Sequence, residues 1–336
     1  VNARLDRKSY VIGDTLSGAI VARYLFGGTM KNAPLNWRLS VSPTSWSPEG
    51  FEAYTFGPMY WLSRFAGRAQ QVLTSDETEL DDNGSATMRY AIRVGQLFGP
   101  HTVTLEGDAT SPSRQVISGR TSVLVHGAEY YIGIVASTTF TSVDSTLKYK
   151  LISVDTEGKL VAGVPITMKL YRRIWRSVRR AETGGRYYWT SSVEDSLTEQ
   201  TTVTSASTPA EQLFVPKNPG FYYFDCTSQD RRGNAVRTQE YFYVSGSGYV
   251  AWERSNDDRI ELIADKRNYK PGDVAHVIVK SPYEQAPAMI SIEREGILSH
   301  YRTLLVGSAP QIDIPIRKEY LPNVFVSVVL LQGRVE

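Results

Sequence analysis

Apolar and polar residues alternate with a period of two along most of this chain. The clearest runs are Leu16–Tyr24, Pro34–Val41, Thr102–Ala109, Gln115–His126, Tyr149–Val154, Val164–Tyr171, Gly220–Cys226, Val236–Val244, Tyr301–Val306, Gln311–Ile316 and Val324–Leu331. A period of two sends successive side chains to opposite faces of a strand, so one face can cover a core. The 3.6-residue period of an amphipathic helix is far rarer. The pattern therefore predicts an all-β chain. Turn chemistry punctuates the runs. Leu25-Phe26-Gly27-Gly28 separates two of them. Asp81-Asp82-Asn83-Gly84, Asp155-Thr156-Glu157-Gly158 and Asp230-Arg231-Arg232-Gly233-Asn234 read as hairpin turns between the strands that flank them.

Two corners are copies of each other. Asp6-Arg7-Lys8-Ser9-Tyr10-Val11-Ile12-Gly13-Asp14 and Asp265-Lys266-Arg267-Asn268-Tyr269-Lys270-Pro271-Gly272-Asp273 both read Asp-x-x-x-Tyr-x-x-Gly-Asp. An alternating segment follows each, Thr15–Ala22 and Val274–Val279. Glycine suits a turn position at positive φ. The copies start roughly 260 residues apart, room for two sandwich domains of ordinary size. The expectation is a tandem array of similar antiparallel β-sandwiches, divided as 1–126, 127–247 and 248–336. The middle domain lacks the corner signature, and the linker Ser245-Gly246-Ser247-Gly248 opens the last. The last domain shows at least five strands where about seven is usual. Movable joints are expected around Gly127 and Ser245–Gly248.

Composition narrows the function classes. The 336 residues are 41% hydrophobic and 21% charged, with a net charge of +2. That is ordinary globular protein with no general pull toward nucleic acid or anionic membrane. Cys226 is the one cysteine, so no internal disulfide forms. No apolar run reaches the roughly 18 residues of a membrane span, and no signal peptide opens the chain. Both ends lie close to strand-like sequence, which suggests a piece of something longer.

Catalytic chemistry is sparse. His101, His126, His276 and His300 show no metal-ligand spacing. Asp81-Asp82 lacks the ordered oxygen ladder of a calcium loop. Ser145-Thr146-Leu147-Lys148 matches Ser-x-x-Lys, but in a strand region and without companion motifs. Arg172, Arg173, Arg176, Arg179, Arg180 and Arg186 interleave with Tyr171, Trp175, Tyr187, Tyr188 and Trp189. That reads either as a polyanion surface or as outward arginines over packed aromatics, with Glu182, Glu194 and Asp195 as neutralising partners. The aromatics of the 43–67 loop, Trp46, Phe51, Tyr54, Phe56, Tyr60 and Trp61, read as a ligand groove or as a satellite core. Cys226-Thr227-Ser228-Gln229 has the Cys-to-Gln spacing of an internal thioester but lacks its Gly and Glu. Cys226 is therefore read as a structural, half-buried strand cysteine.

Several segments together resemble the bacterial alpha-2-macroglobulin family. They are Tyr269-Lys270-Pro271-Gly272-Asp273, Val277-Ile278-Val279-Lys280-Ser281-Pro282, Ile292-Glu293-Arg294-Glu295-Gly296-Ile297 and Pro322-Asn323-Val324-Phe325-Val326-Ser327-Val328. The first domain adds Ser9-Tyr10, Gly13-Asp14 and Ser122-Val123-Leu124-Val125-His126; the middle one adds Pro219-Gly220-Phe221-Tyr222. The resemblance implies macroglobulin-like (immunoglobulin- or fibronectin-like) sandwiches. It implies part of a non-catalytic protease inhibitor of the bacterial periplasm or envelope, with a membrane-anchored lipoprotein as parent. In that family a protease cuts a bait segment and the molecule rearranges around it, in many members with thioester capture. Cys-Gly-Glu-Gln is absent here, so scaffold work is the implied role. The implied partners are target proteases, through the full-length parent, and neighbouring macroglobulin-like domains. No cofactor, metal, nucleic acid or small-molecule substrate is implied. A surface adhesin or carbohydrate-binding array using Trp46 and Trp61 is the alternative.

Overall fold

Antiparallel pairing of the alternating runs builds three two-sheet sandwiches along the chain. The computed structural model describes all residues except 26, 60–69, 96, 182–186, 247–249, 254–258, 267 and 332–336. Trp61, Tyr60, Phe26, Glu182, Arg186, Ser247, Gly248 and Arg267 therefore lie outside the described residues. The strands are β1 (Asn2–Leu5), β2 (Ser9–Val11), β3 (Thr15–Val21), β4 (Pro34–Pro43), β5 (Thr55–Phe56), β6 (Gln71–Glu79), β7 (Ser85–Ala91), β8 (His101–Thr110) and β9 (Val116–His126). Next come β10 (Tyr130–Ala136), β11 (Phe140–Ser142), β12 (Leu147–Asp155), β13 (Pro165–Ala181), β14 (Tyr187–Thr204), β15 (Ala210–Phe214), β16 (Gly220–Gln229) and β17 (Ala235–Ser245). The last are β18 (Leu262–Ala264), β19 (Val274–Val279), β20 (Gln285–Glu293), β21 (Ile297–Val306), β22 (Gln311–Pro315) and β23 (Phe325–Leu330). One 3-10 turn, Lys318–Tyr320, is the helical element among the described residues.

The first sandwich packs the sheet β1-β3-β7 on β2-β9-β8-β4-β6. Leu16, Ile20, Leu35, Leu39, Val103 and Leu105 fill the space between. The second packs β15-β12-β10-β5 on β11-β17-β16-β13-β14 around Ile132, Leu151, Tyr222, Phe224, Cys226 and Phe242. The third packs β18-β19-β22 on β21-β20-β23 around Val277, Val279, Ile290, Ile292 and Ile314. The first and second share a device: the opening strand splits between sheets. β1 pairs β3 antiparallel and β2 then pairs β9 in parallel; β10 and β11 repeat this against β12 and β17.

The two matching corners have matching hydrogen bonds. The Tyr10 hydroxyl donates to Asp6, as that of Tyr269 does to Asp265. Asp14 accepts from the Val11 amide and Asp273 from the Lys270 amide, both at 3.0 Å. Gly13 and Gly272 hold φ of 102° and 99°. The middle sandwich has the same corner in disguise. The Ser145 amide bonds the Ser142 carbonyl as Asp14 bonds Val11, and Asp144 takes the glycine's place at φ 61°. Ser145 is thus a corner residue. Aspartate tolerates the left-handed region better than most residues, whereas a β-branched side chain there is strained. Asp144→Gly should unfold within about 0.5 kcal/mol of the parent chain, while Asp144→Val should lose about 1–2 kcal/mol. Urea midpoints check this, and an unharmed valine variant would refute the shared geometry.

Three Asp-x-x-Gly turns are also built alike. Asp81, Asp155 and Asp230 each accept two amides on Oδ1, from residues two and four further on. Gly84, Gly158 and Gly233 supply the positive φ. Only the Asp230 turn closes a hairpin, between β16 and β17. The turns at Asp81 and Asp155 carry the chain from one sheet to the other, because β7 pairs β3 and β13 pairs β14 and β16. The hairpins expected there are not formed.

Candidate functional site: two packed joints

The chemistry-bearing residues converge on the contacts between sandwiches. At the first joint, Gly127 lies with its backbone against that of Gly99; a Cβ there would meet the Gly99 Cα at 2.6 Å. The Tyr131 hydroxyl faces His126 Nδ1 at 3.0 Å and accepts the Gly127 amide at 3.2 Å. Trp46 stacks on Tyr131 at 4.4 Å and sets its ring edge-on to His126 at 5.4 Å. Trp46, Phe51, Tyr54 and Phe56 pack on Tyr131, Ile152 and Val154 of the second sandwich. β5 joins the same sheet by pairing β10. The aromatic loop of the first domain is therefore a satellite core laid on its neighbour.

A polar patch completes this joint. Arg232 bridges Asp14 at 2.7 Å and Glu129 at 3.2 Å. Asn234 Nδ2 donates to the Ile12 carbonyl at 3.0 Å, and Asp230 accepts the Glu129 amide at 3.0 Å. The Asp14 corner of the first sandwich thus seats the Asp230 turn of the second. Burial raises the Asp14 carboxyl, but the Val11 amide and the guanidiniums of Arg232 and Arg7 outweigh it and hold it below its ordinary range. Burial pushes His126 down to about 4, so its ring is neutral at pH 7.

The second joint is aromatic. Tyr222, Phe224 and Cys226 face the inner core, while Phe221 and Tyr223 face outward. They meet Trp175 and Tyr243, and this layer receives Val250, Trp252, Ile263, Ile278 and Ala309 from the C-terminal side. Met59, from the loop of the first domain, lies in the same cluster. The Trp252 indole donates to the Ser308 carbonyl. Lys280 pairs with Glu261 and holds its ammonium 4.9 Å from the Tyr243 ring centre and 5.2 Å from that of Trp252. Thr139 Oγ1 donates to the Ala264 carbonyl at 2.8 Å. Gly246 bridges to Ala309, and Ser245 is buried. Neither expected joint is an open linker where the structure describes it, because both are filled by side chains.

The other candidates scatter. Arg173 makes a two-pronged pair with Asp195, Arg176 pairs with Glu194, and Arg172 donates to the Pro219 carbonyl. Arg179 lies 4.5 Å over the Tyr187 ring, and Trp175 is buried beneath. Tyr171 and Trp175 pack as the reading of arginines over packed aromatics expects, but Tyr187 and Tyr188 are 60% and 39% exposed, so it holds only for the inner half of the long β13–β14 ribbon. Cys226 has no exposed surface, and burial raises its thiol. Its strand is buried on both faces, not one, because the second joint covers the outer side. Residues three apart on a strand point to opposite faces, and Gln229 instead donates to the Gly233 carbonyl. No group of three or more potential metal-binding side chains gathers among the described residues.

Family comparisons agree with this architecture. Residues 136–249 match the family described as Bacterial macroglobulin domain 6, and 260–335 match the Alpha-2-macroglobulin bait region domain. An alpha-2-macroglobulin homolog of Nostoc sp. is 25% identical across 99% of this chain. The chain belongs to the bacterial alpha-2-macroglobulin family. It spans 17% of that Nostoc relative's length. Native Escherichia coli alpha-2-macroglobulin shares the fold with a TM-score of 0.52 at 16% identity, over 98% of this chain and 23% of that one. Salmonella alpha-2-macroglobulin reacted with methylamine gives 0.51 at 16%, with the same coverages. Escherichia coli alpha-2-macroglobulin activated by porcine elastase gives 0.52 at 12%, over 98% and 34%. In this alpha-2-macroglobulin chain, both the arginine cluster, with two readings left open, and Cys226, expected half-buried where the structure buries it fully, were visible in the sequence. The two joints were not, although the unbroken run Phe221-Tyr222-Tyr223-Phe224 carried a signal for a strand covered on both sides.

Proposed function

We propose that this alpha-2-macroglobulin chain is scaffold for a protease trap, and that it is not itself an enzyme. The carrying observation is the pair of side-chain-filled joints that fix three sandwiches in series, ending in a segment that matches the bait region domain. A trap needs stiff bodies with a limited number of contacts that can be exchanged for others. The relative solved after elastase activation supports elastase as the probe. The setting would be the bacterial periplasm or envelope, with proteases and neighbouring macroglobulin-like domains as partners. The adhesin alternative loses ground because Trp46 and its neighbours are spent on Tyr131, Ile152 and Val154.

The test uses the full-length protein, treated with elastase. It should reduce cleavage of casein at least tenfold while leaving cleavage of a small chromogenic peptide largely intact, since a cage excludes by size. Equal casein cleavage with and without the protein overturns the proposal.

A further inference from the structure

The first joint places a histidine where charging it is costly. His126 ends β9 with 2% of its surface exposed, between the Tyr131 hydroxyl at 3.0 Å and the edge of Trp46 at 5.4 Å. An imidazolium needs water or a carboxylate. Among the described residues, no carboxylate on the elements around it reaches the ring. Tyr131 of β10 is a phenol. His101 of β8, paired across the sheet with Val125, is committed to the Gly99 carbonyl at 2.9 Å. Past Val11 of β2, Asp14 is held by Arg7 and Arg232. Beyond Gly127, Glu129 is held by Arg231 and Arg232. In the loop, the Glu52 carboxylate accepts the Gly50 amide. The loop itself sits on its neighbour through half-buried rings and the short pairing of β5 with β10. Such a segment opens at lower cost than a core strand.

We propose that the first joint is an acid-released clasp: protonation of His126 frees the loop carrying Trp46 and β5 from the second sandwich and loosens the first two sandwiches from one another. The closed joint binds the His126 proton less tightly than the open one. Closure is therefore fully favoured above the ordinary histidine range near 6.5 and is lost as pH falls toward about 4. Below that the closed form also takes up the proton and the loss levels off. Between pH 7.5 and pH 5 the open-to-closed ratio should rise about 30-fold. The inference is independent of protease trapping and tests without a protease.

Hydrogen exchange on the 336-residue chain, corrected for intrinsic rates, reads it. Amides of 54–57 and 131–134 should lose protection by about 30-fold at pH 5 relative to pH 7.5, while the β16 and β20 amides stay protected. His126→Gln, which keeps a neutral polar group near Tyr131, should flatten that dependence. Tyr131→Phe, which removes the hydroxyl but leaves the histidine, should keep it. Unchanged protection at pH 5, or the same loss in His126→Gln, overturns the clasp. Simultaneous loss throughout β16 and β20 also overturns it, in favour of global acid unfolding.

Discussion

Phe221→Ala should undock the third sandwich from the second without dissolving either core. Phe221 is 1% exposed, yet it lies outside the inner core. Its ring meets Trp175 at 5.4 Å, Tyr243 at 5.3 Å and Tyr241 at 5.7 Å. Truncation of a buried phenylalanine costs about 3–5 kcal/mol. Here most of that loss should fall on the contact between sandwiches. Urea unfolding should split into two steps, and amides of Trp252, Ile263 and Ile278 should exchange ahead of those in β16. Its neighbour Tyr222 faces the opposite way, stacked on Phe242 at 5.5 Å. Tyr222→Ala should therefore lower the stability of the second sandwich itself. A single transition in Phe221→Ala, shifted by less than about 1 kcal/mol, would refute this division of labour.

Gly127→Val should have the second largest effect, on the first joint. The added Cβ would lie 2.6–2.9 Å from three backbone atoms of Gly99, which cannot swing aside as a long side chain can. Overpacking of this kind costs about 1–3 kcal/mol, and the branched valine belongs at the upper end. Gly163→Ala is a suitable control, because its φ is +81° but nothing lies within 4 Å of the added carbon. It should show backbone strain alone, about 1 kcal/mol, with the Trp46 environment unchanged. If the two variants shift Trp46 fluorescence equally, the close approach of Gly127 to Gly99 does not hold the joint.

The strands and the outer corners were legible because their signals are local. Alternation marks a half-buried strand wherever it occurs, and Tyr-x-x-Gly-Asp repeats its own hydrogen bonds. The middle corner is not legible in the sequence because Thr141, Asp144 and Ser145 stand where tyrosine, glycine and aspartate stand elsewhere. The backbone kept the conformation while the side chains that advertise it were replaced. Turn partners were also beyond local reading. Asp81, Asp155 and Asp230 tie identical loops, but what lies on either side of a loop is decided by distant strands. For the same reason Gly127 looked like a hinge. Only Gly99, nearly thirty residues earlier, shows it to be a close contact.

The loop between β4 and β6 touches both ends of the middle sandwich. Its Trp46 end is wedged beside His126, and Met59 is inserted among Phe221, Trp252 and Ile278. It therefore acts as a tie-rod laid across the central body, anchored in one seam and pulling on the other. If displacing one anchor weakens the other, linkage requires that displacing the second weaken the first by the same coupling free energy. The loop is thus a physical contact from the first body to the third, although neither sheet of one pairs with a sheet of the other.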